Sequence, residues 1–152
     1  MRVNVSSGSP HELRIGFCRA VRIGNVLAVA GTAPVAPDGS VAAPGDVRGQ
    51  TRRCLQIIAA ALAAAGLRMD DVIRIRVMLI DIDTWREAAK AYREFFSPRI
   101  RPACSFIEVS RFIDPRWLVE IEADGVIVEL AALSEPRAEE QKWGYAHFGA
   151  RP

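Results

Sequence analysis

Apolar and polar positions change rhythm several times along this chain of 152 residues. In "RAVRIGNVLAVAG" the apolar residues form two short runs around Gly24–Asn25, which predicts two strands joined by a tight hairpin turn. "APVAPDGSVAAPG" follows, and its prolines and the Asp38–Gly39 pair predict a loop with a turn of its own. Asp46 then reads as an N-cap. Val47, Thr51, Cys54, Leu55, Ile58 and Leu62 recur at helical spacing, and Gly66 supplies the stop. "DVIRIRVMLIDI" switches to a period of two, with Ile73, Ile75, Val77 and Leu79 on one face and Arg74, Arg76 and Met78 on the other. Asp83 or Thr84 caps a second helix, whose apolar stripe is Trp85, Ala88, Ala89, Tyr92 and Phe95–Phe96. Beyond Pro98 and Pro102, "CSFIEVSRF" and "WLVEIEADGVIVEL" predict two more strands, with Asp114–Pro115–Arg116 as the turn between them.

The order is two strands, helix, strand, helix, two strands. It predicts an α+β fold: one mixed sheet with two helices on one face. In "VLAVAG", however, Leu27 and Val29 oppose Val26, Ala28 and Ala30, and all are apolar. "VIVEL" is also apolar on both sides except at Glu129. A sheet with two apolar faces needs a second cover, and the predicted elements leave no helix to supply it. Other copies of the chain are expected to do so, in a closed ring or dimer.

Composition narrows the chemistry. The net charge of +2 gives no reason to expect a nucleic-acid or membrane partner. No run approaches the roughly 20 apolar residues that span a bilayer. The opening "MRVNVSSGSPHEL" lacks the apolar core of a secretory signal. Cys18, Cys54 and Cys104 form no CxxC pair, so reduced thiols and a cytoplasmic location are expected. With only His11 and His147 as histidines, a metal site has no support. Cys54 lies on the buried helical stripe and reads as core packing. The chain divides into a domain over residues 1–133 and an extension over 134–152. That extension ends in Trp143, Tyr145, His147 and Phe148, a docked tail or a lid over a pocket.

Three stretches, "FCRAVRIGNVLAVAGTAPVAPDGSV", "AYREFFSPRIRPACSFIEV" and "WLVEIEADGVI", carry a resemblance in their order and spacing. From about Ile15 to about Val128 the chain resembles the RidA/YjgF family, also called Rid or L-PSP. The resemblance implies a chorismate-mutase-like fold and a homotrimer with ligand clefts between subunits. It implies hydrolysis of reactive enamines or imines to a carbonyl compound and ammonia, with no cofactor. An older label of the family is endoribonuclease.

The resemblance also assigns residues. Catalytic members carry an arginine after Pro-Ala at the start of the late strand, to grip a substrate carboxylate; that position here is Cys104. A thiol does not replace a planar cation with five donors. Arg101, Arg19 and Arg116 are the candidate substitutes. The family tyrosine before the first strand corresponds to Phe17, its backbone-approach glycine to Gly31, and a helix asparagine near the cleft to Ala89. The carboxylate that handles the hydrolytic water corresponds to Glu120. Phe106 and Trp117 are candidate aromatic walls. Glu120 and Glu122 share one face of their strand, and two like charges at that spacing raise the pKa of one of them. As a thiolate nucleophile Cys104 would need a base or cation beside it, and no histidine is near in sequence. The expected ligand is a carbonyl or imine compound other than a simple 2-imino acid. Three alternatives stay open: a cyclase or dehydratase-type biosynthetic enzyme on the same fold, a non-catalytic metabolite-binding trimer and, last, an endoribonuclease.

Overall fold

The computed structural model describes residues 1–127, apart from Pro10 and Ser97. Six strands form one sheet: β1 (Arg2–Val5), β2 (Ala20–Ile23), β3 (Val26–Thr32), β4 (Val72–Leu79), β5 (Ala103–Glu108) and β6 (Val119–Val126). Their spatial order is β1-β2-β3-β6-β4-β5. The β4–β5 pair is parallel and the other pairs are antiparallel, so the sheet is mixed. The helices are a short α1 (His11–Ile15), a long α2 (Val47–Ala64) and α3 (Trp85–Tyr92).

The hairpin turns at Gly24–Asn25, where Ile23 pairs with Val26 and Gly24 takes a φ of 58°. Asp38 closes the next turn by accepting from the Ser40 amide at 2.9 Å. Asp46 precedes α2 as the cap residue, although its side chain makes no capping bond. Gly66 ends that helix at a φ of 80°, the left-handed conformation that glycine tolerates.

One rung shows how the core is built. Val5, Ala20, Val29, Ala123, Ile75 and Cys104 are successive partners across all six strands. In-register partners share a face, and the first five are buried beneath the helices. Leu55, Ile58 and Leu62 of α2 join Leu27, Ile75 and Ile121 of the sheet in one core. Each such side chain contributes about 1.5–3 kcal/mol by leaving water. The opposite face is bare among the described residues: Ile23 and Val26 are exposed there, and no described element covers them.

The structure differs from the sequence-based expectation in several places. β1 and α1 precede the hairpin and were not predicted. Ile73 does not face the core: it is 54% exposed while Val72 is buried. The cause is a β-bulge, since Val72 and Arg74 pair with Gly125 and Asp124, leaving Ile73 as an extra residue. Thr84 precedes α3 without a side-chain cap, and Asp81 instead accepts from the Asp83 amide. α3 stops at Tyr92, so Phe95 and Phe96 pack from the turn that follows. The 134–152 extension and residues 128–130 of the predicted last strand lie outside the described residues.

Gln50 was not on the predicted stripe, yet it is fully buried. Its amide donates to the Arg116 carbonyl at 3.0 Å and accepts from the Leu118 amide at 2.7 Å. The segment leading into β6 is thereby tied to α2. Gln50→Leu strands two backbone groups, each costing about 1–3 kcal/mol when buried unpaired. A fall of about 2–5 kcal/mol in urea-measured unfolding free energy is expected, and an unchanged midpoint would show that the tie is dispensable.

Candidate functional site

β3 and β6 meet at an irregularity that makes room for a charged side chain. Val29 pairs with Ala123 and Thr32 with Ile121, so β3 carries one residue more than β6 over this interval. The extra residue is a bulge at Ala30–Gly31, opposite Glu122, and the Glu120 side chain reaches back to it from beyond the Thr32–Ile121 pair. Glu120 lies on the bare face, in register with Met78 of β4. Its carboxylate occupies the space that a side chain at residue 31 would need. A Cβ built on Gly31 overlaps Glu120 Oε1 and stands 3.1 Å from Cδ. The structure thus brings together two of the residues picked from the sequence.

The two acids of β6 differ in their surroundings. Glu122 is bound to Arg76 Nε at 2.8 Å. No described residue hydrogen-bonds the Glu120 carboxylate. Burial and then the neighbouring Glu122 charge push the pKa of Glu120 above the usual carboxylate value, and Arg19 opposes them in part.

Arg19 enters the same corner. Its Nη1 donates to the Gly31 carbonyl at 2.6 Å, to Thr32 Oγ1 at 2.9 Å and to the Ala30 carbonyl at 3.3 Å. Its Nε is buried without a described partner. Burial pulls the guanidinium pKa down, and the charges of Glu12 and Glu120 pull it up. Glu12, on α1, is buried and accepts from Ser6 Oγ, the Ser7 amide and Ser7 Oγ at 2.5, 2.7 and 2.6 Å. Burial alone would raise the Glu12 pKa. The serine bonds and the Arg19 charge outweigh it and hold the group below its ordinary value. Of the three arginines proposed from the sequence, only Arg19 borders the Gly31–Glu120 slot. Arg116 is held by Asp114 at 2.6 Å, and Arg101 is exposed ahead of β5. Sequence reasoning missed Glu12. It could have placed Arg19, because a two-residue turn that pairs Ile23 with Val26 sets residue 19 opposite residue 30.

Phe17 is half-buried, and with Gly16, Cys18, Leu13, Asn4 and Val21 it lines an open hollow of about 460 Å³. Trp117 is also half-buried, and its indole N–H has no described partner.

The remaining candidates lie elsewhere. Cys104 pairs with Ile75 and Phe106 with Val77, so both are on the helix side of the edge strand β5. Cys104 is exposed and its thiol interacts with the Tyr92 hydroxyl. Partial burial raises the thiol pKa, which disfavours a thiolate. Phe106 meets Trp85 and Tyr92 edge-on, with ring centroids 6.1 and 6.4 Å apart. Ala89 sits on α3 one turn from both Trp85 and Tyr92. This half is a thiol with aromatic walls. It is two strands away from Glu120, about 10 Å across the sheet, and on the opposite face. A single chain therefore carries two separate halves: Gly31, Glu120 and Arg19 in one, and Ala89, Cys104 and Phe106 in the other.

Known proteins give this arrangement its family. The profile described as Endoribonuclease L-PSP matches residues 11–127. RutC family protein PH0854 of Pyrococcus horikoshii is 37% identical over 107 residues, 70% of this chain and 83% of its own length. The 2-iminobutanoate/2-iminopropanoate deaminase of Escherichia coli K12 is 33% identical over 114 residues, 72% of this chain and 86% of its own. Among solved structures, Rv2704 of Mycobacterium tuberculosis, described as a member of the YjgF/YER057c/UK114 family, superposes with a TM-score of 0.74. It is 42% identical, and the match covers 84% of this chain and all of that one. With its sheet, helices and sequence all matched, the chain belongs to the RidA/YjgF (L-PSP) family.

Proposed function

We propose that this protein hydrolyses a C=N bond of an imine or enamine that carries no carboxylate beside the reacting carbon. Glu120 is the proton-transfer group. Water attacks the carbon of the protonated imine and gives a proton to the Glu120 carboxylate, which leaves a neutral carbinolamine. The carboxyl returns that proton to nitrogen; as the C–N bond breaks, the carboxylate takes the hydroxyl proton and hands it to the departing ammonia, so a carbonyl compound and ammonium leave and Glu120 is regenerated. The observation that carries the reading is the Glu120 carboxylate in the Gly31 slot: no described residue hydrogen-bonds it, and its pKa is raised toward the range useful for acid–base work.

A homotrimer would complete the site. The bare sheet face, apolar at Ile23 and Val26 and charged along β6, and the separation of the two halves both call for another copy, which would bring one chain's Cys104 half up to its neighbour's Glu120 half. In that cleft the position of the carboxylate-gripping arginine holds a thiol, and Phe106 and Trp85 offer apolar walls. The identity with an E. coli deaminase supports the reaction type, and the thiol argues for a different substrate. RNA cleavage fits poorly, because Glu120, Glu122 and Asp124 line one face of β6 and repel phosphate.

The test is ammonia release from a panel: aryl and cyclic imines without a carboxylate, and 2-aminoacrylate generated in place. Uncharged imines are expected to be turned over at least about tenfold faster per active site, the value of one lost charge-assisted contact. Cys104→Arg is expected to shift the preference toward 2-aminoacrylate. Equal rates on both classes in the unaltered protein would defeat the substrate assignment. Ligand-induced stabilisation with no ammonia released would leave a metabolite-binding trimer in its place.

A further inference from the structure

Among the described residues, Arg19 is a cation drawn into the sheet without a carboxylate to bind. It is partly buried, yet it makes no ion pair within 4 Å of a carboxylate among the described residues. Its bonds go instead to three consecutive residues, Ala30, Gly31 and Thr32. In a regular strand successive carbonyls point to opposite edges. One nitrogen that reaches both the Ala30 and the Gly31 carbonyl marks the place where the strand has left that pattern. Charge-assisted bonds to backbone acceptors are about twice as strong as neutral ones, which suits a side chain that must hold an irregular backbone in one shape. The Glu120 carboxylate leans into the space at that irregularity.

We infer that Arg19 is the positioning residue of the site: its guanidinium pins the Ala30–Gly31 bulge, and the pinned bulge fixes where the Glu120 carboxylate stands. Arg19 does not bind substrate. Glu12 of α1, anchored by Ser6 and Ser7, attracts the guanidinium charge and offsets part of its burial. The catalytic part of this inference rests on the role proposed for Glu120; the structural part does not.

The test compares Arg19→Gln and Arg19→Lys with the unaltered protein. The readouts are carbon NMR titration of the Glu120 carboxyl (assigned with Glu120→Gln), amide exchange at Gly31 and Thr32, and imine hydrolysis. Glutamine removes charge and fork together. It is expected to move the Glu120 midpoint upward and to speed exchange at both amides about tenfold or more. It should also lower kcat by at least about tenfold with KM little changed, as for a misplaced catalytic group. Lysine keeps the charge without the fork. It is expected to restore the Glu120 midpoint but not the slow exchange or the full kcat. Unchanged midpoint and exchange in Arg19→Gln would overturn the inference, as would a raised KM with kcat intact, the mark of a substrate contact. If Arg19→Gln does not fold, exchange in Arg19→Lys decides: protection equal to the unaltered protein overturns the pinning role. If Glu120→Gln keeps full turnover, the hydrolase reading fails, while the titration and exchange results still judge Arg19.

Discussion

Gly31→Ala is expected to fold normally and to lose about a hundredfold in kcat on any imine that the protein hydrolyses. A new Cβ at residue 31 overlaps Glu120 Oε1 and sits 3.1 Å from its Cδ, so one of the two must yield. The backbone there is not in the left-handed region, so alanine brings no conformational strain. The obstructing atoms are the tip of a side chain, which swings away at small cost. Alanine also restricts the unfolded chain and returns about 0.4–1 kcal/mol. The two effects nearly cancel, and the melting temperature should stay within a few degrees. Activity has no such compensation. A displaced general acid/base forfeits much of the 10²–10⁴-fold such groups typically supply. The double variant Gly31→Ala with Glu120→Gln should be no worse than Glu120→Gln alone, because both remove the same carboxylate from the same place. Full activity in Gly31→Ala would mean that the slot is not where the chemistry occurs.

Local pattern made most of the fold legible. The hairpin, the stripe of α2 and the alternation of β6 each arise from neighbouring residues under one periodicity, and each formed as the spacing predicts. Misreadings cluster where periodicity breaks. An extra residue between Val72 and Arg74 turned Ile73 outward, and a count of alternate positions does not register a bulge. β1 escaped because Arg2, Val3 and Asn4 are exposed and only Val5 is buried, so it carries almost no alternation. Gln50 was passed over as polar on an apolar face, although two backbone groups satisfy it there.

The site divides along the same line. Gly31 and Glu120 were identified by family resemblance, and the structure puts them in contact. Their contact depends on a second bulge in β3 that no spacing rule announces. Arg19 entered as one of three arginines able to replace a lost cation. Its bonds show a different task, since its Nη1 faces three acceptors of its own chain. The distance between Cys104 and Glu120 follows from strand order, with β4 between β6 and β5, and strand order is a long-range outcome. A small ligand that touched both halves would need two chains, which the proposed cleft between subunits would supply.

Glu120→Gln is expected to abolish imine hydrolysis and, at neutral pH, to make the protein more stable. The folded state raises the Glu120 pKa above its ordinary value of 4.5, through burial first and the Glu122 charge second. A raised carboxylate pKa means that the folded state holds this proton more tightly than the unfolded state does. Ionisation of Glu120 therefore costs stability as pH rises from the ordinary value through the raised one, and the whole cost is present above that window. Glutamine keeps the shape and never ionises. The variant should melt higher than the unaltered protein at pH 7 to 8, and the difference should shrink to nothing below about pH 4. Thermal melts across that range, with ammonia release measured on the same samples, give both halves of the result. A variant that loses activity while becoming less stable at every pH would show that Glu120 supports the fold. A gain confined to neutral pH, coupled to lost turnover, is what a carboxylate held against its own solvation for proton transfer should give.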